Sequence, residues 1–175
     1  MTSEIDASSK ASDLCTSCGL CCNGALFDYG PLSGEELAPA REAGMAVVEA
    51  EGKAGFMLPC PQLDCAVCQI YEVRPRTCRD YRCEVLKAVQ AGEMDFADGL
   101  DRIKEGRAAF DQVSAQLSPG MTVSDARKLR REAAAAEAAR ELNASPMLMM
   151  ALSLLDLVLD QHFRRPDQRQ VMEME

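Results

Sequence analysis

The apolar residues recur at helical spacing through the second half of the chain but not through the first. In the second half this spacing predicts a series of helices separated by turn-forming residues, over residues 84–91, 95–117, 124–143 and 147–163. The last of these is apolar on most sides, which is typical of a helix buried between others. We expect a helical bundle or hairpin here, with the segment from Arg164 to the end of the chain frayed.

The first half shows little sustained periodicity and predicts only short elements. Ser33 and Glu36 stand three residues apart in the pattern of a capping box and predict a short helix that ends near Gly44. Residues 45–51 and 55–58 predict short strands. The expected fold class is therefore α+β, mainly α.

These patterns divide the chain into three predicted parts. Residues 1–14 are polar and mixed in charge, and predict a flexible tail without the apolar core of a signal peptide. Residues 15–83 predict a small, loop-rich module, and residues 84–175 a helical region that packs on it. The longest apolar run, residues 147–155, falls short of the roughly 20 residues that a membrane-spanning helix needs.

The net charge of −9 narrows the range of partners. An acidic chain is repelled by the phosphates of nucleic acids and by anionic membrane surfaces. We therefore expect neither nucleic acid nor membrane as a partner, and a cytoplasmic location where thiols stay reduced.

The cysteines point to metal chemistry. All 9 lie between Cys15 and Cys83, and an odd number without an export signal argues against a disulfide scaffold. The first block reads Cys15-x2-Cys18-x2-Cys21-Cys22. This spacing predicts a tight chelating turn in which backbone amides donate to the sulfurs and Gly19 takes a conformation costly for other residues. Both zinc and iron–sulfur sites use such steps.

The doublet Cys21–Cys22 carries separate information. Adjacent side chains in extended chain point in opposite directions, so two neighbouring sulfurs seldom bind one isolated ion. Three interpretations follow: a sharp turn, a second metal, or one sulfur that is not a ligand. A polynuclear centre accommodates the doublet more easily than a single zinc ion.

The second block combines further cysteines with arginines. The cysteines are Cys60, Cys65, Cys68, Cys78 and Cys83, and the arginines are Arg74, Arg76, Arg79 and Arg82. Guanidinium groups beside a tetrathiolate centre favour the thiolate form of cysteine. The alternative is a solvated basic face, but the position of the arginines among cysteines in an acidic protein favours the metal site.

Two other features are weaker candidates. His162 is the only histidine and lies far in sequence from the cysteines, so we expect a structural or exposed side chain and no ligand. The basic run 127–131 is flanked by acidic residues, and we expect it to form a solvated helix face.

Several spaced motifs resemble one known family. The run Cys15-x2-Cys18-x2-Cys21-Cys22 is followed by Pro59-Cys60-Pro61-x-Leu63 and by Cys68-x-Ile70-Tyr71-x-x-Arg74-Pro75-x-x-Cys78-Arg79. Together they resemble the YkgJ-like CxxCxxCC family of zinc- or iron-chelating proteins over residues 15–83. The resemblance implies metal chelation by the cysteines that match its motifs: Cys15, Cys18, Cys21, Cys22, Cys60, Cys68 and Cys78.

Cys65 and Cys83 are outside the family pattern and are predicted only as additional ligands. Arg74 and Arg79 are predicted to lie around the centre without binding the metal. A related domain occurs in bacterial flagellin lysine methylases, which keeps an enzymatic role open.

We therefore expect a metal-binding protein that holds an iron–sulfur cluster or zinc, with iron–sulfur favoured by the doublet. Alternative functions are a metal-dependent enzyme that modifies a protein or peptide, and a protein for metal storage or delivery. The exposed faces of the C-terminal helices offer a surface for a protein partner.

Overall fold

A computed structural model describes residues 13–50, 52–135 and 145–165 of the chain. Most of the predicted tail, the end of the third predicted helix and the segment after residue 165 lie outside the described residues. Within them the fold is α+β and mainly helical, which confirms the predicted class.

The described residues contain seven helices. They are α1 (residues 13–18), α2 (Leu37–Glu42), α3 (Arg76–Asp80), α4 (Glu84–Gln90), α5 (Phe96–Ser114), α6 (Val123–Ala135) and α7 (Pro146–His162), and short 3₁₀ turns form at Gly34–Glu36 and Tyr71–Val73. The helices predicted from residue 84 onward are confirmed, since their limits agree closely at every end that the structure describes. None of the described helices is both long and apolar enough to cross a membrane.

The strands form two small antiparallel sheets. They are β1 (Tyr29–Pro31), β2 (Val47–Ala50), β3 (Lys53–Met57), β4 (Leu63–Asp64) and β5 (Val67–Cys68). The first sheet has the order β1-β3-β2, and β4 pairs with β5 as a hairpin. Strands β2 and β3 were predicted, whereas β1 and the β4–β5 hairpin were not, because such short strands leave almost no periodicity.

The predicted helix start at Ser33 is confirmed. The backbone N–H and the hydroxyl of Ser33 both donate to a carboxylate oxygen of Glu36, at 2.9 and 2.8 Å. The helical segment begins there as a 3₁₀ turn and continues into α2. Gly44 follows it, with a φ of +72° that suits glycine.

Two apolar clusters form the interior. The larger lies among the helices and includes Val113, Leu152 and Phe163, and the smaller lies under the first sheet and includes Met45 and Phe56. The larger cluster also takes up three leucines of the first cysteine block and its flanks: Leu14, Leu20 and Leu26. Burying one leucine contributes about 1.5–3 kcal/mol, so the cysteine-rich segment is anchored in the helical core.

A buried ionic network corrects two expectations. Arg127 was expected on a solvated face and Arg164 in a frayed end, but they are only 6% and 4% exposed. Both donate to Asp156, at 2.9 and 3.0 Å, and Arg130 donates to its second oxygen. The spacing of the basic run could not reveal this, because the acidic partner lies on another helix.

The same network holds the chain that follows the cysteine doublet. Arg127 donates to the carbonyls of Gly24 and Ala25, and Arg164 donates to the carbonyl of Leu26 at 3.0 Å. Helices α6 and α7 therefore fix the position of the loop directly after Cys22.

Candidate metal centre

A cavity of about 360 Å³ lies between the helical core and the first sheet. Its walls include Leu14 and Ile103 from the helical side and Met45 and Phe56 from the sheet side. Eight of the nine cysteines line it: Cys15, Cys18, Cys21, Cys22, Cys60, Cys68, Cys78 and Cys83. The fold thus gathers in one place residues that are spread over most of the first half of the sequence.

The first block reaches the cavity through a helix and a sharp turn. Residues 15–18 were predicted as a chelating turn, but they belong to α1. The prediction of a turn is therefore wrong. The helix still places Cys15 and Cys18 on the same side, since residues three apart share one helix face. Gly19 then ends the helix with the expected positive φ, of +72°.

The turn after α1 folds the doublet back toward the second block. The amides of Cys22 and Asn23 both donate to the carbonyl of Gly19 at 3.0 Å. Gly19 faces Ala66 of the β4–β5 hairpin, where a side-chain carbon would make an ordinary contact at 3.4 Å, so the positive φ and not a lack of space is what favours glycine here.

The second block contributes its cysteines from four different elements. Cys60 precedes the hairpin, Cys68 lies on β5, Cys78 on α3, and Cys83 caps the start of α4. Cys65 is different: it is exposed, has a φ of +56° in the hairpin turn, and does not line the cavity. The two cysteines outside the family pattern are therefore placed differently, Cys83 inside the cavity and Cys65 outside it.

Burial and mutual proximity perturb the cavity thiols. Burial, together with the nearby sulfurs of Cys83 and Cys15, raises the pKa of Cys18 to about 12. Burial and Cys60 and Cys68 raise the pKa of Cys78 to about 11. Without metal these thiols keep their protons at neutral pH, and a metal that binds them must displace those protons.

Backbone amides oppose this effect at three cavity cysteines. The N–H of Leu20 lowers the pKa of Cys18, and the N–H of Gln62 and that of Leu86 act in the same way on Cys60 and Cys83. A donor aimed at sulfur stabilises the thiolate, which is the form that binds metal. The donation expected in the first block is found at Cys18, and the same effect acts on Cys60 and Cys83, where it was not predicted.

The two arginines singled out from the sequence have different surroundings. Arg74 lines the cavity, its guanidinium carbon lies 3.7 Å from the centre of the Tyr71 ring, and its charge lowers the pKa of Cys15 and Cys78. Arg79 lies on α3 and is not among the residues that line the cavity.

One further basic residue was missed by the sequence analysis. Arg107 on α5 donates to the carbonyl of Ser17 at 2.8 Å and lowers the pKa of Cys18. It lies far from the cysteines in sequence, and no local motif marks it. His162 lies 3.4 Å from a carboxylate oxygen of Glu105 and is not among the residues that line the cavity.

The chemistry of the cavity fits a metal bound by thiolates. Sulfur ligands suit zinc and iron–sulfur clusters, and such centres carry negative charge. Two buried donors that line the cavity, Nε of Arg74 and the hydroxyl of Tyr81, have no hydrogen-bond acceptor among the described residues. A negatively charged thiolate centre, if bound there, would supply the acceptor that both donors lack.

The cysteines line the cavity without forming a compact set of ligands. Among the residues that the structure describes, no three Cys, His, Asp or Glu side chains converge as they would around an ion. A metal that binds in the cavity would have to displace the thiol protons and bring sulfurs from different walls together.

The fold and the cavity define a class of protein in which cysteine thiols from separate elements surround a space suited to metal. The particular family follows from comparison with family models: residues 14–98 match the model described as "CxxCxxCC: Putative zinc- or iron-chelating domain". The resemblance inferred from the motifs is therefore confirmed over these residues. Comparison with curated proteins and with solved structures gave no match.

Proposed function

We propose that this protein holds an iron–sulfur centre in its cysteine-lined cavity, with zinc as the alternative metal. The observation that carries the proposal is that eight cysteines line one cavity. The family description gives chelation of zinc or iron as the class of function. The proposed ligands are the cavity cysteines, with Cys65 left out.

The size and lining of the cavity favour a cluster over a lone ion. Its volume of about 360 Å³ greatly exceeds the roughly 10–15 Å³ that holds one water. A single zinc ion in a closed tetrahedral site leaves little space beyond its four sulfurs. Inorganic sulfide and several irons use such a volume, and apolar walls such as Leu14 and Phe56 keep water from the cluster.

Arg74 and Tyr81 support the same proposal. Both place a buried donor at the cavity without an acceptor. Hydrogen bonds to cluster sulfurs are among the main influences on the reduction potential of iron–sulfur centres. These two side chains are the ones we expect to tune the potential of the bound centre.

Anaerobic purification tests the proposal directly. We expect a brown protein that contains iron and acid-labile sulfide, with Cys65→Ser as a control that keeps its colour and metal content. A colourless protein with stoichiometric zinc and no sulfide would replace the iron–sulfur assignment by zinc. A protein that binds neither metal under reducing conditions would refute metal binding altogether.

The other functions stay predictions. Storage or delivery would be supported by more than two tightly bound ions in a sample without acid-labile sulfide, which metal and sulfide analysis of the same sample measures. An enzyme that modifies a protein requires access to the centre, and Cys15 at the exposed rim of the cavity is the place where a substrate would enter. Protection of Cys15 alone from a thiol reagent by a peptide substrate would favour the enzyme.

A protein partner at the C-terminal helices also stays a prediction, as does a cytoplasmic location. Helix α7 exposes four large apolar residues spaced three or four apart, which are Met147, Met150, Leu154 and Leu157. Such a stripe is typical of a contact surface.

A further inference from the structure

We infer that the cavity holds two separate four-cysteine sites, and that the doublet is divided between them. This inference rests on the proposed binding of metal by the cavity cysteines. The first set, which we call site A, consists of Cys15, Cys18, Cys21 and Cys83. The second set, site B, consists of Cys22, Cys60, Cys68 and Cys78.

The two apolar clusters separate five of the eight cysteines in this way. Cys18, Cys21 and Cys83 pack against the helical core. Cys60 and Cys78 pack against the other cluster, under the first sheet. A cysteine held against one cluster cannot join a site on the other without leaving its apolar contacts. The cores therefore place site A on the helical side of the cavity and site B on the sheet side.

The charges that each sulfur experiences give the same division for the doublet. After burial, the neighbours with the largest effect on the pKa of Cys22 are Cys78, Cys60 and Cys68, and Cys18 has a smaller effect. For Cys21 they are Cys83 and Cys18, with Cys22 and then Cys15 having smaller effects. Two residues adjacent in sequence thus have different strongest sulfur neighbours, Cys83 and Cys18 for Cys21 but Cys78 and Cys60 for Cys22.

The backbone explains how the doublet is divided. The amide of Cys60 donates to the carbonyl of Cys22 at 2.7 Å, which ties Cys22 to the second block. On the other side, Leu20 is fully buried in the helical core, and Cys21, which follows it, packs against the same core. The chain crosses from one side of the cavity to the other between Cys21 and Cys22.

Each site draws on both cysteine blocks. Site A has three ligands from the first block and one, Cys83, from the second. Site B has the reverse composition, with Cys22 as the single ligand from the first block. Arg74 stands between the sets, since its charge lowers the pKa of Cys15 in site A and of Cys78 in site B.

Native mass spectrometry of the anaerobically purified wild-type protein is the first test, because it needs no variant. We expect two metal centres of the same or different kind per chain. A protein with no metal would refute the proposed function itself. If all of the bound metal belongs to a single centre, the two-site inference is overturned while the proposed function stays intact.

Variants then test which cysteines belong together. We expect Cys18→Ser and Cys60→Ser each to lose one of the two metal centres and to keep the other. Within site A, the double variant Cys18→Ser/Cys83→Ser should lose no more than Cys18→Ser alone. The cross-site variant Cys18→Ser/Cys60→Ser should lose both centres, and Cys65→Ser is the matched control that loses none.

Two outcomes would overturn the division. One is the loss of all metal in each single variant, which indicates one shared polynuclear centre. The other is a within-site double variant that loses as much metal as the cross-site one. If the serine variants do not fold, as judged by circular dichroism, the count from the wild-type protein still decides between one centre and two.

Discussion

Replacing Asp156 by alanine tests the link between the helical core and the cysteine cavity. Its carboxylate receives hydrogen bonds from Arg127 and Arg164 at 2.9 and 3.0 Å, and also from Arg130. Removing one partner of a buried ion pair typically costs about 3–5 kcal/mol, because the other charge stays buried without compensation.

The remaining contacts place the expected loss at the lower end of this range. Arg164 keeps its bond to Asp160 at 2.9 Å, and Arg127 keeps Asp28 at 3.6 Å. We therefore expect Asp156→Ala to reduce the free energy of unfolding by about 3 kcal/mol. Metal binding should weaken as well, since the two arginines hold the loop that follows Cys22.

Urea denaturation of the metal-free and metal-loaded protein measures both effects. Asp101→Ala is the control, because Asp101 forms an exposed pair with Lys104 and its loss should leave the unfolding midpoint unchanged. A loss below about 1 kcal/mol in Asp156→Ala would show that the network does not stabilise the fold. Unchanged metal affinity in a clearly destabilised variant would refute the link to the cavity.

The pH dependence of Asp156 provides an independent check. Burial alone raises its pKa, but the charges and hydrogen bonds of Arg127, Arg130 and Arg164 outweigh it and hold the pKa below the ordinary value of 3.8. A carboxylate with a lowered pKa in the folded state stabilises the protein above its unfolded pKa. The stability difference between wild type and Asp156→Asn should therefore shrink as the pH falls below 3.8 toward the folded pKa.

Three further predictions concern the cavity and its supports. Gly106→Ala should destabilise by about 1–3 kcal/mol in thermal unfolding, because the added carbon would stand 2.8 Å from Leu20 and 2.9 Å from Phe163; a stabilised variant would refute this contact. Arg74→Met should lower metal affinity roughly 10- to 100-fold in a chelator competition, whereas the same change at exposed Arg76 should have no effect; equal effects would exclude a specific role for Arg74. Glu36→Gln should speed hydrogen exchange at the start of α3, since Glu36 accepts a hydrogen bond from the Arg76 amide at 2.6 Å; unchanged exchange there would contradict it.

The helical half was predictable because its elements are long and strongly patterned. Each helix after residue 84 repeats its apolar face over several turns, and its ends are marked by residues such as Pro146. The role of Arg127 was not predictable in this way. Its burial depends on Asp156 and on carbonyls of the loop at residues 24–25, and none of these lies near it in sequence.

The metal site likewise has features that the sequence predicts and features that depend on the fold. The cysteine spacing alone determines that the chain has metal chemistry, because few other roles require C-x2-C-x2-C-C and a second block with the same step. The doublet also indicates from sequence that a single ion is a poor fit, since adjacent side chains diverge.

Only the tertiary structure decided which cysteines meet. Cys83 and Cys65 are indistinguishable as candidates in the sequence, yet the start of α4 places the first in the cavity and the hairpin turn leaves the second outside it. The physical reason is that spacing fixes the geometry of a ligand only within a few residues. Beyond that distance, the packing of Leu20 in one core and Phe56 in the other decides which sulfurs are neighbours.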